Sequence, residues 1–187
     1  SNSVAVSISS PSSQVVVSPT SFQIEPLGWQ NPRTVTLTAG QDNNVDDETF
    51  QITVSGTGGL SPQAVSVQVV DDDEQNIISN VNSVNLNEGG TADIAISLQW
   101  QPRSNFTVNV TSQNPNLVST SVPALTFTPT NYNIAQTVTL SANEDVNLIN
   151  DSTRINLRAN NVPELSLPVS IADNDAQAVV FAPSSLT

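Results

Sequence analysis

"RTVTLTAGQDNNVDDETFQITVSG" (Arg33–Gly56) and "QTVTLSANEDVNLINDSTRINLRA" (Gln136–Ala159) read as two copies of one passage. Val35, Leu37, Asp42 and Ile52 meet Val138, Leu140, Asp145 and Ile155 at a constant spacing of 103 residues. Register held over so many positions marks an internal repeat. Upstream, "SFQIEPLGW" matches "LTFTPTNY", with Phe22 over Phe127 and Trp29 over Tyr132 after a two-residue insertion. Downstream, "VSVQVVDDDEQ" (Val65–Gln75) meets "LPVSIADNDAQ" (Leu167–Gln177) at a spacing of 102. The register continues from "QNIISNVNSVNL" (Gln75–Leu86) into "QAVVFAPSSLT" at the C-terminus. The chain therefore divides into residues 1–75, the C-terminal part of one repeat; residues 76–177, a complete repeat; and residues 178–187, the first strand of a third. It starts and stops abruptly, as a fragment of something longer does.

Within each repeat the hydrophobic period is two. "VAVSI", "TVTL", "FQITV" and "VSVQV" alternate apolar with small polar residues, and "ADIAISL", "FTVNV", "TVTL" and "LPVSI" do the same in the second copy. This alternation predicts strands with one buried face. The segments "NPR", "GTGG", "NEGG", "QNPN" and "NNVPE" supply turn chemistry between them. With about seven short strands per hundred residues and no helical periodicity, the expected fold is all-β, two antiparallel β-sandwiches in tandem. The first sandwich lacks its opening strands. Pro19, Pro129 and Pro168 lie in or beside strands and point to edges or bulges.

Composition narrows the function. The 187 residues carry a formal charge of −13, with 17 acidic and four basic residues and no histidine, cysteine or methionine. Acid without base argues against nucleic acid and anionic membrane surfaces, because neither phosphate attraction nor counterion release is available. No apolar run approaches the roughly 20 residues of a membrane span. Without histidine or lysine there is no base for a serine nucleophile, and no phosphate-binding glycine loop occurs. The chain reads as non-catalytic.

About 14 of the acidic residues fall in clusters, and the four arginines cannot neutralise them. Two carboxylates about 4 Å apart repel by about 4 kcal/mol at an effective dielectric of about 20. A hard cation removes that cost, and Ca²⁺ takes six to eight oxygen ligands. Mg²⁺ suits a flexible carboxylate-rich loop less well, and Zn²⁺ lacks its His and Cys ligands. In a sandwich of this kind the turn after the first strand, one long loop and the end of the last strand share a pole. That gathers Glu88, Asp145, Asp151, Asp173 and Asp175 in the second repeat, with Asn147 or Asn150 as amide ligands. In the first repeat it gathers Asp42, Asp46, Asp47, Glu48, Asp71, Asp72 and Asp73, while the counterpart of Glu88 lies upstream. Asp46 and Asp47 become Ile149 and Asn150, so the second repeat is expected to hold fewer ions.

The ordered set "FQIEPLGW", "RTVTL", "DDETF" and "DDDEQ", with "VNLNEGGTADIAISLQWQP" (Val84–Pro102) opening the second unit, resembles the Calx-beta family and its bacterial surface-protein relatives. The resemblance covers nearly the whole chain. It implies immunoglobulin-like sandwiches with Ca²⁺ bound at one end. On that basis the expected function is a structural, calcium-binding repeat of a large extracellular or cell-surface protein, an adhesin stalk stiffened by Ca²⁺ at the inter-repeat pole. A calcium-regulated sensor or partner-binding module, or an accessory module of a secreted enzyme, is the alternative. The expected partners are neighbouring repeats of the same protein, with head-to-tail self-association through residues 178–187, Val179 and Phe181 entering the first unit of another copy. No nucleic acid and no membrane insertion are expected. Phe127, Tyr132 and Trp29 are expected to pack in the core or at strand edges, and Trp100 at a strand end. Asn105, Asn109 and Asn150 head Asn-x-Ser/Thr sequons, which matter only in a glycosylating host.

Overall fold

Alternating valine, isoleucine and leucine with small polar residues leaves each segment one apolar face, which only a second layer can cover. The computed structural model describes residues 2–179, and among them every regular element is a strand. The chain runs through β1 (Val4–Ser9), β2 (Val15–Ser18), β3 (Ser21–Ile24), β4 (Thr36–Ala39), β5 (Glu48–Gly56) and β6 (Gln63–Val69). It continues through β7 (Ile77–Ser79), β8 (Val84–Asn87), β9 (Thr91–Leu98), β10 (Phe106–Ser112) and β11 (Val118–Thr120). β12 (Ala124–Phe127), β13 (Gln136–Ala142), β14 (Asp151–Arg158) and β15 (Leu165–Ala172) complete it. Two compact units meet in the sequence between Asp73 and Glu74. Of the strand expected over residues 178–187, all but Ala178 and Val179 lies outside the described residues.

Unit 2 is a β-sandwich of a five-stranded sheet, in the order β12-β10-β14-β15-β8, and a four-stranded sheet, β11-β13-β9-β7. Ile94, Ile96, Val108, Phe127, Val138, Leu140, Ile155 and Leu157 are fully buried within it. Each such side chain stabilises the fold by about 1.5–3 kcal/mol relative to exposure. The sheets are not wholly antiparallel, because β8 runs parallel to β15, pairing Val84 with Val169 and Asn87 with Ala172. The opening segment of the unit serves both sheets: β7 pairs antiparallel with β9, and the chain then crosses to the far sheet, entering it in the direction of β15. Pro168 is tolerated because the β8 pairing begins only at Val169.

Unit 1 has a four-stranded sheet, β3-β1-β5-β6, and a two-stranded one, β2-β4. Its pairings map onto unit 2 strand for strand. Ile8 pairs with Val54 as Val110 pairs with Leu157, Val17 with Leu37 as Thr120 with Leu140, and Ile52 with Val65 as Ile155 with Leu167. β1 to β6 thus correspond to β10 to β15, and β7, β8 and β9 have no counterpart among the described residues.

The same register corrects one sequence match. Val6 pairs with Phe22, and its equivalent Val108 pairs with Leu125. Phe22 therefore stands at the place of Leu125, and Ile24 at that of Phe127, with no insertion. Phe127 is fully buried and Tyr132 packs against the unit 2 core, as expected. Trp29 does not pack: it is 70% exposed. Tyr132 lies beside the end of β9, where its carbonyl accepts the N–H of Leu98 at 2.8 Å. Trp29 has no counterpart of β9 beside it among the described residues.

Candidate metal centre

Glu88 sits at the turn between β8 and β9, and two glycines make that turn possible. Gly89 has φ of 65°, and a Cβ there would run into the carboxylate of Glu144. At Gly90 a Cβ would come 2.8 Å from the carbonyl oxygen of Asn87. The turn is tied on both sides by main-chain bonds: Glu88 N–H to Ala172 O at 3.1 Å, and Ala142 N–H to Gly90 O at 2.9 Å. These bonds bring Glu88 between the ends of β13 and β15, where Asp145 and the pair Asp173 and Asp175 follow.

Glu88, Asp145, Asp173 and Asp175 converge, each offering a carboxylate oxygen within 4.8 Å of the others. Among the described residues no other three or more acidic side chains do so. Glu88 is 5% exposed, and its Oε2 and the Oδ2 of Asp173 are buried without a hydrogen-bond partner. Burial pushes the Glu88 carboxyl above its usual range, and the charges of Asp145, Asp173 and Asp175 push it the same way. The one ion pair among the described residues joins Arg158 to Glu164 at 2.8 Å, away from this group. A cluster with this donor set could hold a metal ion.

The loop and the exit strand are pre-shaped by short-range hydrogen bonds. Asp145 Oδ1 accepts the N–H of Asn147 at 2.7 Å, Asn147 Oδ1 that of Ile149 at 2.7 Å, and Asp173 Oδ1 that of Asp175 at 2.9 Å. Asn150 Oδ1 accepts the N–H of Asp173 at 2.8 Å, which joins the loop to the exit. The amide of Asn174 donates to the Glu88 carbonyl at 3.1 Å. Asn147 and Asn150 thus shape the loop with the side-chain oxygens that sequence reasoning offered as ligands. Asp151 opens β14 opposite Ile171 and stays outside the converged group.

Unit 1 repeats four of these five bonds, all but the one from Asn174 to Glu88. Asp42 Oδ1 accepts from Asn44 at 2.9 Å, Asn44 Oδ1 from Asp46 at 2.6 Å, Asp71 Oδ1 from Asp73 at 2.8 Å, and Asp47 Oδ1 from Asp71 at 2.9 Å. Asp42, Asp71 and Asp73 hold the places of Asp145, Asp173 and Asp175. Yet Asp42, Asp46, Asp47, Glu48, Asp71, Asp72 and Asp73 do not converge as the unit 2 group does. Amides occupy several of them instead: Gln14 on Asp42, Gln41 on Asp72 at 3.2 Å, and Asn44 on Glu48 at 3.3 Å. Glu48 and Asp73 are held above their usual range, mainly by burial and then by neighbouring aspartates, although the amide of Asn44 pulls Glu48 the other way. Charge count and convergence rank the two units in opposite orders.

Gln75 is a structural residue that sequence reasoning passed over. It is 9% exposed, and its carboxamide holds both main-chain groups of Trp100, donating to the carbonyl at 2.7 Å and accepting the N–H at 3.1 Å. Its one visible sign is recurrence as Gln177 at the same repeat position.

No protein-family model matches the sequence, and no curated protein matches it. Among solved structures the chain is similar to domains 1–6 of the surface layer protein SbsC, at 19% identity and a TM-score of 0.48 over 91% of this chain and 20% of that one. It is also similar to SbsC domains 4–9, at 18% identity and a TM-score of 0.47 over 93% of this chain and 31% of that one. The crystal structure of SbsC domains 4 and 5 gives 22% identity and a TM-score of 0.44 over 67% of this chain and 65% of that one.

Proposed function

We propose that this chain is a non-catalytic, calcium-binding structural repeat of an extracellular or cell-surface protein. In unit 2 the ion would be held by Glu88, Asp145, Asp173 and Asp175. The observation that carries this reading is the buried Glu88, which has an unpartnered Oε2 and a carboxylate that converges with three others, with no basic side chain paired to any of them among the described residues. Burying a carboxylate without a partner is costly, and four converging ones are tolerable only with a counter-charge. A hard oxygen donor set without His or Cys suits Ca²⁺.

The ligands come from three separated places: the β8–β9 turn, the β13–β14 loop and the segment following β15. An ion there would fasten the chain's exit to the body of the sandwich. Asp42, Asp71 and Asp73 hold the corresponding places at the exit of unit 1 without converging, which makes it a leaner version of the site. In a tandem array, pinned exits restrict how one repeat can swing against the next, the property a stalk needs. At a hundredfold excess of ion over Kd, one such site stabilises the fold by about 2.7 kcal/mol.

Calorimetric titration of the chelated protein with Ca²⁺ tests the reading. One binding event that disappears in Asp173→Ala is expected. Flat heats, with the same melting temperature in Ca²⁺ and in chelator, would sink it.

A further inference from the structure

Unit 1 carries an open apolar trough lined by Ile8, Val35, Leu37, Ile52, Val54 and Val65. Unit 2 shows what such a trough holds. Leu37, 38% exposed, stands at the place of Leu140, 0% exposed; Val65, 51% exposed, stands at the place of Leu167, 1% exposed. In unit 2 these positions are covered by Ile94 and Ile96 of β9 and by Val84 and Leu86 of β8, all buried in the same cluster. β9 pairs along β13, Ile94 opposite Val138, and β8 pairs along β15, Leu86 opposite Ile171. Among the described residues the corresponding edges in unit 1 are open: β4 pairs only with β2, and β6 ends its sheet. Apolar surface and two unpaired backbone edges therefore occur together, in the arrangement that a strand pair closes.

We propose that this trough is the seat of a donated strand pair: a segment with alternating aliphatic residues on both strands and a Glu-Gly-Gly turn, of the kind residues 84–98 form in unit 2. Its apolar side chains would cover Leu37, Val65 and Ile52, and its strands would pair with β4 and β6. The turn glutamate would arrive beside Asp42, Asp71 and Asp73, as Glu88 stands beside Asp145, Asp173 and Asp175. A fourth carboxylate there is repulsive unless a cation accompanies it. Strand binding and calcium binding in unit 1 are thus linked, each tightening the other by the same factor. The linkage rests on the calcium reading above; the seat does not.

The test uses the full 187-residue chain and a labelled synthetic peptide of residues 83–99, followed by fluorescence anisotropy in chelator and in millimolar Ca²⁺. Saturable one-to-one binding is expected in both, at least about tenfold tighter with Ca²⁺, and the gain should vanish for the peptide carrying Glu88→Gln. Leu37→Asp and Val65→Asp, both at partly exposed positions, should abolish binding. Binding in chelator with no gain from Ca²⁺ supports the seat and removes the metal from unit 1. Peptide that fails to bind, or that binds Leu37→Asp and wild type alike by exchanging into unit 2, overturns the proposal. So does a concentration-dependent dimer that blocks the peptide and dissociates on deletion of residues 178–187, since the occupant is then the C-terminal segment of a second copy.

Discussion

Asn150 Oδ1 accepts the backbone N–H of Asp173 at 2.8 Å. The side chain that replaces an aspartate of the first repeat thus keeps its hydrogen bond and gives up only its charge, since Asp47 makes the same bond to Asp71 at 2.9 Å. Asn150→Ala should loosen the exit segment, costing about 1–3 kcal/mol of metal affinity. Asn150→Asp should retain the bond and bind Ca²⁺ at least as tightly. Titration calorimetry on the pair checks this, and equal losses in both variants would contradict it.

The metal-free protein should respond to acid in the unusual direction. Glu88, Glu48 and Asp73 all have folded-state pKa values raised above their ordinary ones, with burial the leading cause. Such groups bind their proton more tightly folded than unfolded. The stability they contribute is fully present below the ordinary carboxylate range of about 4–4.5 and is lost as pH rises through the raised folded values. In chelator, melting temperature should therefore rise on going from pH 7 to about pH 4.5, at the ordinary carboxylate range. With Ca²⁺ the slope should reverse, because protons then compete with the ion. Calorimetric scans at both pH values, with and without Ca²⁺, give the comparison; parallel slopes would refute it.

The turn before β9 should tolerate nothing larger than glycine. Gly89→Ala places a side chain at φ 65° and against Glu144, and Gly90→Ala sets one 2.8 Å from the Asn87 oxygen. Each should cost about 1–3 kcal/mol of stability and displace Glu88, weakening Ca²⁺ binding as well. Denaturant unfolding with a parallel titration distinguishes this from a turn that simply relaxes, in which case affinity would be unchanged.

Equivalent positions in the two units should respond unequally. Leu167→Ala removes a side chain that is 1% exposed and should cost about 2–5 kcal/mol. Val65→Ala, at the matching place but 51% exposed, should cost less than about 0.5 kcal/mol in the isolated chain. With the strand-pair peptide bound, the cost at Val65 should increase.

The all-β character and the repeat were legible because period two and a constant spacing are properties of the chain itself. The acidic clusters were legible for the same reason. Four things were not. Matching Phe22 to Phe127 paired like with like, whereas strand register places Leu125 there; aromatic identity is a poor guide where either residue fills the layer. The exposure of Trp29 depends on β9, which is remote in sequence from its counterpart Tyr132. The ranking of the two acidic sites followed charge, but convergence depends on a turn that delivers Glu88 from 57 residues before Asp145. Gln75 showed only its recurrence as Gln177, which does not reveal the role, since a glutamine that mimics a peptide group looks like any other glutamine.

The parallel pairing of β8 with β15 determines how unit 2 carries tension. A pull on the chain before β8 and after β15 draws these neighbours in opposite directions along their length. The Val84–Val169 to Asn87–Ala172 ladder is then loaded in shear, its hydrogen bonds yielding together and not one after another as in a peeled hairpin. Glu88 and Asp173 follow immediately at the same end of the two strands. An ion bound between them would act as a rivet across the loaded seam, and calcium concentration would set the force at which it slips.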